Sequence, residues 1–181
     1  MAHIYGLTEA ELDAPRRAAA LAREAAAPAA AEVDAKGRFP KEALAALGAQ
    51  GFLGLCLPRE AGGQGQGPRV FAAVVEELAG ACASTAMVYV MHVSAAQAVA
   101  ASKTLGGRDA LLREMAAGKH LTTLAFSERG SRSQFWLPVS RLEVDGPGFR
   151  TSAEKSWVTS AANADSYVSS ARMPEAKSPL E

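Results

Sequence analysis

The hydrophobic pattern changes its period near Leu121, and this change most constrains what the chain can fold into. Before that point, apolar residues recur three and four positions apart, as in Val70, Val74 and Leu78, which is typical of one helix face. After it, apolar and polar residues alternate, as in residues 141–144, which favours strands. The sequence therefore predicts an α+β fold, with an N-terminal all-α helical bundle followed by a partial, mostly antiparallel β domain.

Prolines and glycines divide the helical part. The alanine-rich stretch from Glu9 to Ala27 predicts a helix, which Pro28 breaks or restarts before a shorter second piece. Pro40 is placed like a first-turn proline of another helix, which Gly48 and Gly51 end.

The apolar run from Ala81 to Ala101 approaches the length of a membrane span. Several polar side chains interrupt it, so a helix buried in protein is favoured. Ser84 is predicted to be the N-cap of this helix, which extends to about Lys103. Residues 87–91 are apolar on every side, which predicts a place in the middle of the bundle.

The predicted domain boundary follows a short last helix that ends at Gly118. Residues 1–118 are predicted to form the helical domain and residues 119–172 the start of the β domain. Within the latter, residues 145–148 predict a turn, and residues 149–159 and 167–171 predict strands. Residues 173–181 combine prolines with charges and are predicted to be a disordered tail.

Composition argues against several kinds of partner. Nineteen basic and nineteen acidic residues cancel, so neither nucleic acid nor an anionic membrane is an expected partner. Cys56 and Cys82 favour buried free thiols over one disulfide. His3, His92 and His120 stand alone in the sequence, so no metal is expected. The N-terminus lacks a secretion-signal pattern, which predicts a cytoplasmic protein.

Two segments suit a flat, oxygen-rich ligand. Residues 124–134 read Leu-Ala-Phe-Ser-Glu-Arg-Gly-Ser-Arg-Ser-Gln, in which hydroxyls and backbone N–H groups of a turn could bind a flavin ring edge or a phosphate. Taken alone, this segment favours a solvated turn. Trp157 lies between the hydroxyls of Ser156 and Thr159, where it could stack on a planar ring or simply belong to a core.

Together the two segments resemble the flavin-contacting segments of the acyl-CoA dehydrogenase family. That family writes them as Ala-Leu-Thr-Glu-Pro-Gly-Ala-Gly-Ser-Asp and Lys-Thr-Trp-Ile-Thr, close to residues 124–134 and 155–159 of this chain. Gly54-Leu55-Cys56-Leu57-Pro58 followed by Gly62-Gly63-Gln64-Gly65 is a third match in the family's order. The resemblance covers about residues 38–172.

The resemblance implies an FAD-dependent oxidoreductase of fatty acid metabolism that performs α,β-dehydrogenation of an acyl-CoA thioester. In that family a carboxylate takes the α-proton and the β-hydride goes to flavin N5. The implied partners are an acyl-CoA substrate, an electron-accepting flavoprotein, and identical or complementary subunits.

The resemblance also assigns residues to the site. Ser127 would lie at the polar edge of the flavin, Ser133 near both the pyrophosphate and the thioester chain, Trp157 on the flavin face away from substrate, and Thr159 near N5. The implied FAD contacts are Leu124, Phe126, Ser127, Ser133, Trp157 and Thr159. Ser133 is also the implied substrate contact.

The chain departs from the family pattern after Glu128. Arg129 replaces a proline and is expected to point to solvent. Arg132 replaces a glycine, so it either meets the phosphate through its guanidinium or points to solvent. Phe135 and Trp136 are expected to pack on the sheet rather than narrow an acyl channel.

No catalytic residue is predicted. The family's base is a glutamate in or near its C-terminal helical domain, for which this sequence offers no counterpart, and Glu128 is expected to be structural. The chain is therefore expected to be an N-terminal portion that retains FAD weakly or not at all and oxidises no acyl-CoA alone. The alternatives are a non-catalytic assembly subunit of a flavoenzyme complex and a flavin-dependent monooxygenase of the same superfamily.

Overall fold

The computed structural model describes residues 5–132 and 134–178. The α-helices are α1 (Asp13–Leu21), α2 (Ala27–Lys36), α3 (Lys41–Ala49), α4 (Pro68–Ala81), α5 (Ala83–Ala101) and α6 (Arg108–Ala116). The strands are β1 (Thr122–Ala125), β2 (Glu143–Asp145), β3 (Gly148–Arg150) and β4 (Ser166–Ser169). The α+β class with an N-terminal helical part is confirmed. The exact division into domains at residue 118 stays a prediction.

Pro28 restarts the first helix, as the sequence predicts. A π-helical turn, Ala22–Ala26, joins α1 to α2, and Pro28 lies in the first turn of α2. Proline cannot donate a backbone hydrogen bond, and the wider turn upstream accommodates that gap without ending the helix. α2 then ends at Gly37, whose φ of 59° is the left-handed conformation common after a helix.

The main hydrophobic core lies among the helices. Val70, Val74 and Leu78 of α4 are buried, as their spacing predicts, in one cluster with Leu21 of α1 and Tyr89 of α5. Burying a side chain of this size contributes about 1.5–3 kcal/mol. The helical part therefore has a self-contained source of stability.

Helix α5 differs from the prediction in two respects. Its N-cap is Cys82, which is extended at φ −156° and makes no side-chain cap bond, so the prediction that Ser84 is the cap is wrong. α5 contacts α4, α6 and β1, but Met87 is half exposed, so the helix is open on one face rather than enclosed. Within the described ranges, no helix is long and apolar enough to cross a membrane.

The strands form two small pairs. β1 and β4 run parallel, with Thr122 opposite Ser166, whereas β2 and β3 form an antiparallel hairpin at the predicted turn. The pairing is therefore mixed rather than mostly antiparallel among the strands that the structure describes. The strand predicted for residues 149–159 is wrong beyond Arg150, because the following segment is irregular and pairs with Glu128 only through a single bridge at Lys155.

His92 joins the helical part to the first strand. Its ring is fully buried on α5, where Nδ1 accepts the Thr122 N–H at 3.1 Å and Nε2 lies 3.1 Å from the Leu53 carbonyl. Nε2 therefore carries the proton and donates to Leu53. Burial lowers the pKa of His92 to about 4, so the ring is neutral near pH 7. Both hydrogen-bonding partners of this ring are therefore backbone groups.

Candidate functional site

A cleft of about 200 Å³ opens between α5, the end of β1 and the segment around Trp157. Its lining residues are Met91, Leu124, Phe126, Ser127, Phe135, Ser156, Trp157 and Thr159. The structure thus brings together five of the six residues that the sequence assigned to the cofactor. The sixth, Ser133, which was also the predicted substrate contact, lies outside the described residues.

The lining has the two properties that a flavin ring requires. Met91, Leu124 and Phe126 supply an apolar surface on which a flat ring can lie. Ser127 and Thr159, together with the nearby Ser156 hydroxyl, supply groups that can donate to or accept from a polar ring edge. The residues present therefore fit an isoalloxazine ring, which combines apolar faces with a polar edge.

Trp157 is poised for a ligand rather than packed in a core. The side chain is 94% exposed, although an indole offers about 150–250 Å² of surface for burial. Its φ of 58° places it in the left-handed region, outside any strand, which corrects the prediction that it lies on one. Ser160 and Ala162 have φ values of 64° and 65°. Each such residue costs about 1–2 kcal/mol, and conformations of this kind cluster at ligand sites.

A larger groove of about 570 Å³ adjoins the cleft and shares Thr159 with it. Met87 lies in this groove, one helical turn from Met91 in the cleft. The groove is larger and more open, and Thr159 is the only residue of its lining that the sequence assigned to the cofactor. We therefore take the smaller cleft as the candidate site.

Glu128 is buried beside the cleft but is not a base. Burial alone would raise the pKa of its carboxyl group, yet hydrogen bonds from Lys155, the Ser140 hydroxyl and the backbone N–H groups of Ser140 and Val139 together lower it to about 2. The carboxylate is therefore ionised and fully engaged near pH 7. The prediction that Glu128 is structural is supported.

The two unusual arginines stay outside the cleft. The Arg129 side chain is exposed, as predicted, and lies 3.6 Å from Glu154. Arg132 is exposed and keeps a left-handed φ of 52° although it is not glycine. The expectation for Phe135 and Trp136 needs correction: the two rings pack edge-to-face on each other at 5.0 Å, both are half exposed, and Phe135 lines the cleft.

Sequence reasoning missed Met91 and Phe135. Met91 follows Met87 by four residues, which places both on one face of α5, and this repeat was available as a signal. Phe135 had no comparable signal, because its position depends on the path of the loop from Glu128 to Ser140. Among the described residues that line the cleft, none has an ionisable side chain, so they include no carboxylate or imidazole that could act as a general acid or base.

Known proteins share sequence and fold with this chain. Residues 8–119 match the family model described as "Acyl-CoA dehydrogenase, N-terminal domain". A Mycobacterium leprae protein described as "Probable acyl-CoA dehydrogenase fadE25" is 32% identical over 149 residues, which cover 82% of this chain and 38% of the relative. The 3-sulfinopropanoyl-CoA desulfinase of Variovorax paradoxus is 28% identical over 172 residues, which cover 95% of this chain and 43% of the relative.

Among solved structures, glutaryl-CoA dehydrogenase from Mycobacterium smegmatis superposes with a TM-score of 0.84 at 23% identity, covering 93% of this chain and 44% of that chain. At this identity the likeness shows the fold. The chain spans 38% to 43% of the length of the two curated relatives above.

Proposed function

Because the chain belongs to the acyl-CoA dehydrogenase family, a family of flavoprotein oxidoreductases, we propose that it supplies one wall of an FAD site in an enzyme that oxidises an acyl-CoA thioester. One observation carries the proposal. Residues from two motifs that are distant in sequence line a single cleft, whose apolar floor and hydroxyl rim suit a flavin ring.

Each residue has a distinct proposed task at the bound cofactor. Leu124 and Phe126 contact the apolar part of the ring, and Trp157 covers one ring face. The hydroxyls of Ser127 and Thr159 hydrogen-bond the polar edge, which fixes the ring's orientation and helps to exclude water. FAD, when bound, supplies the redox chemistry by accepting a hydride from the substrate.

The substrate class is proposed from the relatives' names. The dehydrogenases and the desulfinase differ in reaction, but their names share acyl-CoA chemistry. We propose dehydrogenation because the dehydrogenase match has the higher identity. The described cleft lining offers no carboxylate, so the base that takes the α-proton is proposed to come from another segment or subunit. We also propose that the enzyme passes its electrons to an electron-accepting flavoprotein, that it is an oligomer, and that it is cytoplasmic.

FAD titration followed by ¹H–¹⁵N NMR tests the cofactor site directly. We expect weak, fast-exchanging binding, because a ligand enclosed on one side gains little buried area. The shifted amide signals should be those of Leu124 to Ser127 and Ser156 to Thr159. Trp157→Ala should abolish these shifts. Phe149→Ala is the matched control, because Phe149 is an exposed ring of the β2–β3 hairpin that does not line the cleft, and it should preserve them.

Two results would overturn the cofactor proposal. One is that FAD, raised to its solubility limit, shifts no amide of the cleft or shifts only amides elsewhere. The other is that the Trp157→Ala protein gives the same shifts and affinity as the wild type.

A second reaction, desulfination of a sulfinated acyl-CoA, is favoured by one observation. The desulfinase match covers 95% of this chain, whereas the dehydrogenase match covers 82%. The two reactions can be separated by activity assays. These assays need the protein together with the segment or subunit that completes its site. Reduction of an electron-acceptor dye by acyl-CoA supports dehydrogenation, and sulfite release from 3-sulfinopropanoyl-CoA without dye reduction supports desulfination.

A further inference from the structure

A buried ion pair lies directly behind the cleft. Lys155 Nζ is 2.5 Å from Glu128 Oε1, and the two side chains are 13% and 4% exposed. We propose that Glu128 and Lys155 are positioning residues, which set the distance between the two cofactor-binding segments by acting through their neighbours Ser127 and Ser156. The identity of the ligand rests on the proposed function, but the positioning itself does not.

The backbone geometry carries the first step. Glu128 and Lys155 face each other in an antiparallel bridge, and the Ser156 N–H donates to the Ser127 carbonyl at 2.9 Å. This pattern makes Glu128 and Lys155 a pair without hydrogen bonds between their own backbones, in which opposed side chains come closest. Successive side chains in extended backbone point to opposite faces. Ser127 and Ser156 therefore face away from the ion pair, and both line the cleft.

The Glu128 carboxylate binds to more than one segment of the chain. Oε2 of Glu128 accepts the N–H groups of Val139 at 2.7 Å and Ser140 at 2.6 Å, and Oε1 accepts the Ser140 hydroxyl at 2.5 Å. These bonds close the loop that carries Phe135, which is another residue of the cleft. Lys155 also donates to the Ser170 carbonyl at 2.7 Å, just after β4. One buried pair thus fixes the strand end, the loop and the tryptophan segment relative to one another.

Burial makes this pair a strict geometric constraint. Removal of one partner leaves the other charge buried and unpaired, which disfavours the arrangement strongly, although an intact buried pair adds little net stability. The neighbouring ion pair Arg129–Glu154 is an exposed counterpart with which the buried pair can be compared. It flanks the same bridge at 3.6 Å, but its side chains are 83% and 75% exposed. An exposed pair of this kind contributes little to structure.

The experiment compares these two pairs in the whole 181-residue chain. The variants are Glu128→Gln, Lys155→Met, Lys155→Arg and Glu154→Gln. The first readout is hydrogen exchange of the Ser156 amide in the absence of ligand, with the Thr122 amide, which is bonded to His92, as the internal reference. Glu128→Gln and Lys155→Met should accelerate Ser156 exchange by about tenfold or more while leaving Thr122 unchanged, because local opening needs little free energy once the pair is broken.

The remaining variants separate positioning from general stability. Lys155→Arg keeps the charge and should restore most of the Ser156 protection that Lys155→Met loses. Glu154→Gln should behave like the wild type. The proposal is overturned if Glu128→Gln and Lys155→Met leave Ser156 protected, if Glu154→Gln exposes it equally, or if Thr122 loses protection to the same extent. A variant that fails to fold also counts against the proposal, because it shows that the pair stabilises the whole protein rather than this segment.

An FAD titration of the same proteins forms the second readout. Glu128→Gln should weaken binding at the cleft by about tenfold, equivalent to about 1.4 kcal/mol. If the wild type shows no cleft shifts at all, the proposed function fails while Ser156 exchange still decides the positioning claim. If FAD binds the wild type and the Glu128→Gln protein equally, the positioning claim fails while the proposed function stands.

Discussion

The helical part and the β segment of this chain are held together by different forces. From α1 to α6, apolar side chains are buried in hydrophobic clusters, of which the largest includes Leu47, Leu78 and Tyr89. From β2 onward, large apolar side chains are exposed, Val144 and Phe149 among them, although these two face each other across the hairpin. Hydrogen bonds and the Glu128–Lys155 pair hold this segment instead.

This contrast explains the position of the cleft. One wall belongs to α5 and β1, which share the most extensive contact between elements of the described chain. The other wall is the segment around Trp157, which is tied to the strand β1 and its end by hydrogen bonds at Ser156 and Thr159. A site built in this way has a rigid wall that sets its shape and a tethered wall that a ligand can order.

The largest expected effect tests the core. Leu78→Ala should destabilise the protein by about 2–5 kcal/mol, because it removes buried methyl groups and leaves a cavity. Val144→Ala is the matched control in the β segment, where the exposed side chain should change stability by no more than about 0.5 kcal/mol. Urea unfolding followed by circular dichroism measures both. Equal losses would show that the two regions are not held differently.

Acid should weaken the junction between the regions. The pKa of His92 falls from 6.5 to about 4 on folding because the ring is buried, so the unfolded chain binds a proton that the folded chain does not between these values. Stability is therefore complete above pH 6.5 and declines as the pH falls to about 4, by about 3 kcal/mol in all. His92→Gln, which cannot titrate, should remove most of this slope. An unchanged slope in that variant would exclude His92 as its source.

A smaller effect concerns the end of the helical part. Gly118 has a φ of 73°, and a Cβ there would lie 2.7 Å from the Gly48 Cα, a backbone atom that cannot easily move. Gly107 has nearly the same φ of 72° but open space around it. Gly107→Ala should cost about 1–2 kcal/mol for its left-handed conformation alone, and Gly118→Ala should cost more. Thermal unfolding of the two variants measures the difference, and equal melting temperatures would contradict the close approach.

The sequence predicted what local patterns encode. The stripe of Val70, Val74 and Leu78 and the restart at Pro28 were both found where expected, because the first depends on helical period and the second on a missing N–H. The hairpin turn at Gly146 was also found where expected, because residues 145–148 are of types that favour turns. In the site, two short motifs led to five residues that share one cleft.

The failures depend on contacts between distant residues. The residues from Thr151 to Thr159 have no strand neighbour along most of their length, so a strand-like composition did not produce a strand there. The bridge of Glu128 to Lys155 joins positions far apart in sequence, and the partners of His92 are backbone groups, so neither leaves a local pattern. The Ser84 cap failed because an extended Cys82 already begins the helix.

Residue-resolved hydrogen exchange with and without FAD tests the central claim most directly, namely that a rigid helical wall and a tethered β wall form one flavin cleft. Without FAD, amides of α4 and α5 should exchange slowly and those from Trp157 to Thr159 quickly, whereas the Ser156 amide is protected by its bond to Ser127. With FAD, protection should rise selectively at Phe126, Ser127 and the segment from Trp157 to Thr159. Uniformly slow exchange without ligand, or protection by FAD at residues remote from the cleft, would contradict that claim.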